Sequence, residues 1–422
     1  MRLIKLLSIS LFTLLFAVKA SAQTSDDVLN ILIAKGTISQ QEADSIRAAA
    51  AITKQDEKAK QKVFPLNSSR AFQVGGYTQI RFQLYPGTTT PDEFDVRRAR
   101  LDINGDITSK WQYRLLVDFV GGTTSVPAGT VTTSANTILS PVLLDAYIAY
   151  KASSYLKITA GQFLLPFSLE NNIRDRDLET VDRSQVVNAL VARKGDGSNG
   201  LIDSIGNQNG RDIGVQASGS FFKINDKRYL IDYYAGFFNG AGINVLPTNN
   251  KQSKDFSGRL LIHPFDFLTI GGSYYDGYDV FAKSATKAPQ LRTRWGTELN
   301  FEYKALSIRS EFIRGQDGDD KHLASQPIPA IHQGWYAQLG YFILKNKLQG
   351  VFKYDTYSPE VNPAFAGLNK VSDANTYFIF GANYFFNTWA KLQVDYSWRT
   401  EQGNIPAVSN NDVFTAQLQL AF

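Results

Sequence analysis

The feature that most constrains the fold is a period-2 alternation of side-chain character, which begins near Phe72 and continues to Phe422. In the stretch 390–399, AKLQVDYSWR, apolar and aromatic residues alternate with charged and polar ones. Such a period predicts β-strands whose two faces meet different environments. Sixteen candidate strands of this kind follow one another, among them strands near 110 to 121 and 142 to 151.

The connections between the candidate strands alternate in length. The even-numbered ones are tight turns such as Ile107-Thr108-Ser109 and Pro264-Phe265-Asp266, whereas the odd-numbered ones are longer, polar and rich in Gly, Pro and Asn. An even strand count with short turns at one end and long loops at the other is typical of membrane barrels, and not of soluble sandwiches or propellers. The sequence therefore predicts an all-β fold, a 16-stranded antiparallel transmembrane β-barrel over residues 72–422.

The first 22 residues have the pattern of a secretory signal peptide. Arg2 and Lys5 precede a mostly apolar run, Leu6 to Val18, and Ala20-Ser21-Ala22 offers small residues for cleavage. The alternative, an uncleaved membrane helix, needs about 20 apolar residues, and serine and threonine interrupt this run. No later segment is apolar enough to span a membrane as a helix, so we expect Sec export and an outer-membrane barrel in a Gram-negative-type cell.

Residues 23–62 follow a helical pattern instead. Val28, Leu29, Leu32 and Ile33 form one apolar stripe, and the sequence SQQE at 39–42 is a capping box that opens a second helix. The charged segment 55–62 then reads as a linker. We expect a short periplasmic helical segment and a tether; whether it oligomerises, contacts peptidoglycan or is only a leader stays open.

Composition argues against enzymes and nucleic-acid binders. The chain has no Cys and three His, and none of the histidines has metal-ligand spacing to another, so we expect no metal, no cofactor and no catalytic Ser-His-Asp arrangement. The formal charge is +5 for the full chain and falls to +2 once the three cations of the signal peptide are removed. A nearly neutral mature chain does not suggest nucleic acid as a partner.

The inward face of the predicted barrel is so polar that we expect it to line water, and sixteen strands leave room for an aqueous channel. On the first three strands the alternation places Arg81, Arg98, Arg100 and Arg114 inward as a basic wall. Aspartates of the same strands could neutralise part of this wall. Further inward cations are Lys157, Arg294, Arg309, Lys353, Lys391 and Arg399.

A long loop, which we call L3, runs from about Leu164 to about Asn209 and is the one loop large enough to fold inward and narrow the pore. Its cations include Arg174, Arg176, Arg183 and Arg193. The loop nevertheless carries five basic against seven acidic residues, a formal charge of −2. Its arginines could therefore serve an anion in the pore, or they could be held in salt bridges within the loop.

Three segments carry a resemblance to a known family. The run GQFLLPFSLE at 161–170, preceded by LLDAYIAY and followed by DRS at 182–184, resembles the phosphate-selective porins O and P. The segments GGYTQIRF at 75–82 and VRRARLDINGDI at 96–107 resemble the first two strands of that family. The resemblance implies a trimeric outer-membrane channel for anions, in which the arginines of L3 contact the permeating ion.

We therefore expect a passive channel biased towards anions, with phosphate or polyphosphate as the solute. The alternative is a general, weakly selective porin for small polar solutes or oligosaccharides; a barrel enzyme and a structural or adhesive barrel without a pore are the other classes. The last strand is amphipathic and ends on Phe422. In both respects it resembles the terminal strand that the barrel-assembly machinery recognises. Expected partners are thus that machinery, outer-membrane lipid and two further copies of the chain.

Overall fold

The computed structural model describes residues 32–33, 35, 37, 71–86, 92–126, 136–192, 210–225, 228–244, 254–279, 290–318, 329–362, 374–402 and 411–422. The chain divides into two compact units, Met1–Pro65 and Leu66–Phe422. The predicted signal peptide (1–22) lies outside the described residues, as does nearly all of the predicted helical segment (23–62), in which Leu32 and Ile33 are helical. No helix among the described residues is long and apolar enough to cross a membrane.

In the described part of the second unit, sixteen antiparallel strands form a closed barrel in which each strand pairs with its sequence neighbours and β1 pairs with β16. This confirms the predicted fold class. The strands are β1 Gln73–Leu84, β2 Glu93–Asp106, β3 Trp111–Val126, β4 Asn136–Lys151, β5 Lys157–Leu164, β6 Arg211–Lys223, β7 Tyr229–Phe238, β8 Asp255–Phe265, β9 Leu268–Asp279, β10 Gln290–Tyr303, β11 Leu306–Asp317, β12 Ala330–Leu344, β13 Leu348–Ser358, β14 Ala374–Phe385, β15 Ala390–Gln402 and β16 Val413–Ala421.

The largest differences from the predicted strand bounds are in β3 and β4. β3 and β4 extend beyond the expected 110–121 and 142–151, because their pairing resumes at Gly122 after a break that follows Asp118. The segment GGTTSV begins with two glycines, which usually interrupt a strand, but its threonines and valine are residues that strands favour. The glycines therefore mark an irregularity within the hairpin and not its end.

The connections alternate in length as predicted. Even-numbered strands are followed by short turns, and odd-numbered strands by long connections at the opposite end of the barrel. We call these the turn end and the loop end. L3 joins β5 to β6 and so begins at the loop end, opposite the turn between β8 and β9.

L3 supplies most of the hydrophobic core, which lies inside the barrel. Its described part contains α1 (Leu169–Asn172), a 3-10 turn (Asp175–Asp177), α2 (Gln185–Val187) and a π-helical turn (Asn188–Ala192). Apolar side chains of this loop cluster with inward-facing side chains of the wall. The fully buried members from L3 are Leu165, Phe167, Val186, Val187, Leu190 and Val191, and those from the wall include Phe238, Ile313 and Tyr336.

The inward polar face was expected to line water, and the packing of L3 shows that this expectation is wrong for a large part of the lumen. Inward polar side chains such as Gln79, Arg294, Lys353 and Gln393 do not line water, because they are fully buried. Two of these four, Lys353 and Gln393, bond to L3 directly. The inward face is thus polar as predicted, but many of its polar side chains bond to other protein groups instead of to water in a channel.

The outward face is apolar, as the alternation predicts. Ile270, Leu339, Leu418 and Leu420 are each at least 44% exposed, a placement that only a lipid environment accommodates in such number.

The barrel closes where β1 meets β16, and the backbones of Gly76 and Phe422 exchange two hydrogen bonds there. A Cβ at Gly76 would lie 2.3 Å from the Arg100 carbonyl oxygen, so the seam requires glycine at this position.

Leu418→Arg should destabilise the barrel by about 2 to 4 kcal/mol, because the substitution places a charge on the lipid-facing surface near the middle of the membrane. Ser220→Arg is the control, since Ser220 lines a lumen cavity of about 790 Å³ that has room for the longer side chain. Equilibrium unfolding in lipid vesicles measures both. Equal losses for the two variants would contradict the assignment of faces.

Candidate functional site

L3 is held inside the barrel by carboxylates of the wall. Each of these carboxylates accepts backbone N–H groups of the loop, which satisfies peptide groups that no helix or sheet serves. The acceptors lie on three different strands, so the loop is fixed at several points across the lumen. The pairs are Glu311 with the N–H groups of Leu169 (3.1 Å) and Glu170 (3.2 Å), Asp395 with that of Val181 (2.6 Å), and Asp355 with that of Gln185 (2.9 Å).

Wall donors bind the carbonyl groups of L3 in the same manner. Lys391 Nζ and Gln393 Nε2 donate to the Leu178 oxygen at 3.0 and 3.1 Å. Asn383 Nδ2 donates to the Glu179 oxygen at 2.8 Å. The inward cation Lys391, which the sequence places in the lumen, therefore anchors the loop.

The segment PFSLE is the point at which L3 turns into the lumen. Ser168 has φ 73°, a conformation that non-glycine residues adopt rarely. Its N–H donates to Ser273 Oγ at 3.3 Å, and its own hydroxyl accepts the N–H of Asn171 at 3.1 Å as the cap of α1. The next acid, Glu170, is buried and paired with Lys353. This motif therefore encodes the path of the loop.

The four arginines of the predicted basic wall do face inward, and each is held by aspartates. The carboxylates come from the same strands, from the neighbouring strand β4 and from L3, so the wall and the loop form one ion-pair network. The pairs are Arg81 with Asp95 (2.7 Å), Arg98 with Asp175 (3.0 Å), Arg100 with Asp118 (2.8 Å) and with Asp175, and Arg114 with Asp102 (2.8 Å) and Asp145 (3.0 Å).

Asp175 is the centre of this network. It is buried on L3 and contacts the guanidinium groups of Arg98, Arg100 and Arg183. Burial acts to raise the pKa of the Asp175 carboxyl, but the three positive charges outweigh it and hold the pKa well below its usual value. The carboxylate is therefore ionised throughout the neutral range, and the loop arginine Arg183 is bound to an acid of its own loop.

Two arginines of this ion-pair network are not among the inward residues that the sequence predicts. Arg97 donates to Asp182 of L3 at 3.0 Å, because a bulge in β2 opposite Gln79 and Ile80 breaks the alternation between Arg97 and Arg98. A strict period of 2 assigns Arg97 to the lipid face. Arg211, the first residue of β6, binds Asp145 of β4 at 2.6 Å, and this contact arises only from the fold.

The remaining candidate residues differ in placement. Arg174 and Arg176 have 59% and 31% of their side-chain surface exposed, and both approach Asp177, at 2.5 and 3.6 Å. Lys157 lies at the turn end, in register with Lys151, where β5 begins. Arg193 lies outside the described residues.

A cavity of about 400 Å³ separates the wall of β1 to β3 from L3. Six arginines and two aspartates contribute to its lining. They are Arg100, Arg114, Arg174, Arg176, Arg183 and Arg211, with Asp102 and Asp175. Asn171 also contributes to the lining; its side chain is fully buried, and within the part of the chain that the structure describes neither Nδ2 nor Oδ1 has a hydrogen-bond partner.

A second cavity, of about 330 Å³, continues towards the turn end. It shares Gln73, Asp102, Asn104, Arg114 and Arg174 with the first and reaches Asp106 beside the turn between β2 and β3. The two cavities thus form a polar path between L3 and the turn end. No group of His, Asp and Glu in the described ranges is placed to hold a metal ion.

The network around these cavities has an excess of two positive charges. Nine arginines face seven aspartates in its ion pairs. They are Arg81, Arg97, Arg98, Arg100, Arg114, Arg174, Arg176, Arg183 and Arg211, against Asp95, Asp102, Asp118, Asp145, Asp175, Asp177 and Asp182. Between low-dielectric walls even a small excess of one sign attracts counter-ions.

Comparison with known proteins decides the family. The model of the family described as phosphate-selective porin O and P matches residues 72–422. The chain belongs to this family. Family and fold make the protein an outer-membrane channel and point away from an enzyme. The segments 75–82, 96–107 and 161–170, which carry the resemblance in the sequence, supply the seam, the basic wall and the turn of L3. No protein of curated function matches the chain significantly.

Solved porins share the architecture at low identity. OmpF of Salmonella typhi in complex with daunomycin has a TM-score of 0.57 and 11% identity, covering 83% of this chain and 97% of that one. The anion-selective porin from Comamonas acidovorans has a TM-score of 0.54 and 9% identity, covering 83% and 99%. The trimer form of OmpT from Vibrio cholerae has a TM-score of 0.52 and 10% identity, covering 84% and 100%. At these identities the similarity shows the fold alone.

Asp175→Asn should destabilise the protein by about 3 to 5 kcal/mol, because it leaves three buried arginines without their common carboxylate. Asp177→Asn removes the same charge from the same loop at a position that is 44% exposed, and should change stability by about 0 to 1 kcal/mol. Thermal unfolding of the two variants in detergent compares them. A loss at Asp175 no larger than that at Asp177 would show that the network does not hold L3.

Proposed function

We propose that the channel passes anions in preference to cations and that phosphate, or a short polyphosphate, is its natural solute. The observation that carries the proposal is the cavity between the wall and L3. Arginines line it together with Asn171, whose side-chain amide has no partner among the described residues. Guanidinium groups donate hydrogen bonds in pairs and match the oxygens of phosphate, and an amide adds one donor more.

The arrangement of charge on L3 also supports a preference for anions over cations. Glu170 and Glu179 turn away from the cavity towards the wall, where Lys353 and Arg309 receive them, and Asp175 is enclosed by arginines. Among the described cations of L3, Arg174 and Arg176 are the most exposed. The loop is acidic overall, but most of its described acids bind residues of the wall.

The pairing of these arginines with aspartates also favours the passage of anions, because a solute must leave the channel as readily as it binds. An arginine already bound to an aspartate offers its remaining N–H groups to a passing anion without holding it at full strength. Phosphate exchanges part of its hydration shell for these donors and then moves along the second cavity towards the turn end. This mechanism requires no covalent step and no energy source.

Selectivity tests the first part of the proposal. In planar bilayers under a KCl gradient the native channel should show a reversal potential on the anion side, and Arg174→Gln with Arg176→Gln should move it towards zero. Lys345→Gln with Lys347→Gln removes the same charge from the turn between β12 and β13 and should leave it unchanged. A native potential near zero would favour the weakly selective porin, and one on the cation side would reject the proposal.

Phosphate recognition is tested by block of the chloride current. Added phosphate should reduce the current of the native channel at low concentration, and Asn171→Asp should weaken this block about tenfold, since a carboxylate replaces the amide; tenfold corresponds to about 1.4 kcal/mol. Asn225→Asp introduces the same charge at a lumen cavity away from L3 and serves as the control. Anion selectivity without phosphate block would retain the anion channel and exclude phosphate as its preferred solute.

We further infer a homotrimer, exported through Sec and assembled by the barrel-assembly machinery. The trimer form of OmpT, which shares this fold, and the leader of residues 1–22 support the inference. The N-terminus of the mature protein should be Gln23, which mass spectrometry determines. Unheated protein should migrate as a trimer in detergent gels, and migration as a monomer would count against the assembly.

A further inference from the structure

A second cationic site lies on the outside of the barrel. Along β11 the residues Glu311, Ile313 and Asp317 are buried and face inward, so Phe312 and Arg314 between them face outward. Arg314 lies in the half of the strand nearer the loop end, three residues before β11 ends at Asp317. An arginine on the outer surface of a membrane barrel is tolerated near the interface and is destabilising deeper in the hydrocarbon.

Arg314 differs from the arginines of the lumen in its partners. Its one hydrogen bond within the described residues runs from Nη1 to Gln333 Oε1 at 2.6 Å, and no described carboxylate pairs with it. Inside the barrel, in contrast, Arg259 is paired with Glu298 and Arg294 with Asp317. A guanidinium has five N–H donors, so Arg314 offers several to a partner outside the protein.

The neighbours of Arg314 place it at the level of lipid headgroups. In the strand register Trp295 lies directly opposite it on β10 and Gln333 on β12, and Trp335 lies opposite Phe312, one step nearer the membrane centre. Trp295 and Trp335 are exposed. Outward-facing tryptophans concentrate at membrane interfaces, where the ring is apolar and the N–H is polar. The polar side chains beyond this belt are Thr293, Gln316 and Gln333.

The same belt indicates that lipid, and not another copy of the chain, covers this face. In the described strands the outward Tyr and Trp residues of the loop half all lie on β9 to β15, and they include Tyr274, Trp295, Trp335, Tyr396 and Trp398. On β1 to β8 the corresponding exposed aromatics are Phe94, Phe119 and Phe237. An amphipathic ring is suited to headgroups, whereas a purely apolar one is equally suited to a protein neighbour.

We propose that Arg314 binds a phosphate group on the headgroup of a phosphorylated glycolipid in the outer leaflet. The loop end of a bacterial barrel faces outward, which places Arg314 in that leaflet. Charge complementarity supplies the attraction, and the amide and hydroxyl groups of Gln316, Gln333 and Thr293 supply partners for sugar hydroxyls. Asp276, the outward acid of this region, is separated from Arg314 by the whole of β10.

Native mass spectrometry of the detergent-solubilised full-length protein tests the site. The probe is a bisphosphorylated diglucosamine lipid, compared with its dephosphorylated form and with phosphatidylglycerol. The native protein should retain the phosphorylated glycolipid, and Arg314→Gln should retain it about tenfold less, the effect of losing one charge-assisted hydrogen bond. Arg314→Lys should recover part of the binding. Arg228→Gln removes the same charge at the turn end and is the matched control.

Each outcome bears on the proposal. Equal retention by the native protein and Arg314→Gln would overturn it, as would equal binding of the dephosphorylated lipid. If phosphatidylglycerol is retained as strongly as the glycolipid, the site binds anionic lipids in general, and the proposal of a glycolipid is rejected. Single-channel conductance of Arg314→Gln should equal that of the native channel, because the residue lies outside the lumen; this readout also verifies that the variant is folded.

Discussion

The rest of the structure depends on one requirement: a loop that enters a barrel must have its peptide groups hydrogen-bonded there. The described part of L3 contains only short helical turns, so the wall provides partners for many of its peptide groups, with Glu311, Asp355 and Asp395 as acceptors and Lys391 and Gln393 as donors. An unbonded peptide group in a dry interior is costly. The polar inward face is therefore shaped by the loop as much as by the solute, and the apolar side of L3 packs against inward aromatics such as Tyr336.

Anchoring also determines which charges remain for transport. Most of the described acids of L3 bind the wall or Arg183, while Arg174 and Arg176, beside the cavity, are the most exposed of its described cations. A formal charge summed over the loop does not distinguish its paired groups from its exposed ones. What a permeating ion meets is the local balance of paired and exposed groups.

Much of the fold follows from the sequence, because strand facing and loop length are local properties. The stretch 390–399 identifies its own two faces, and the placement of Arg98 and Arg100 follows from the same period. Arg97 does not, because a bulge changes the period by one residue. Nor does the burial of Lys353, which depends on a contact with Glu170, 183 residues away in the chain. Partners across the lumen are set by tertiary structure, and no local pattern encodes them.

The closing seam has a consequence for how the barrel forms. Fifteen of the sixteen strand pairings join sequence neighbours and can form as hairpins, whereas the sixteenth brings Gln79 and Gln419 together, 340 residues apart. Non-local pairings form slowly, and until this one forms, β1 and β16 expose unpaired edges that attract other strands. Assembly of this channel should therefore be limited by a single late event, and protection of those two edges matters more to its yield than the stability of any hairpin.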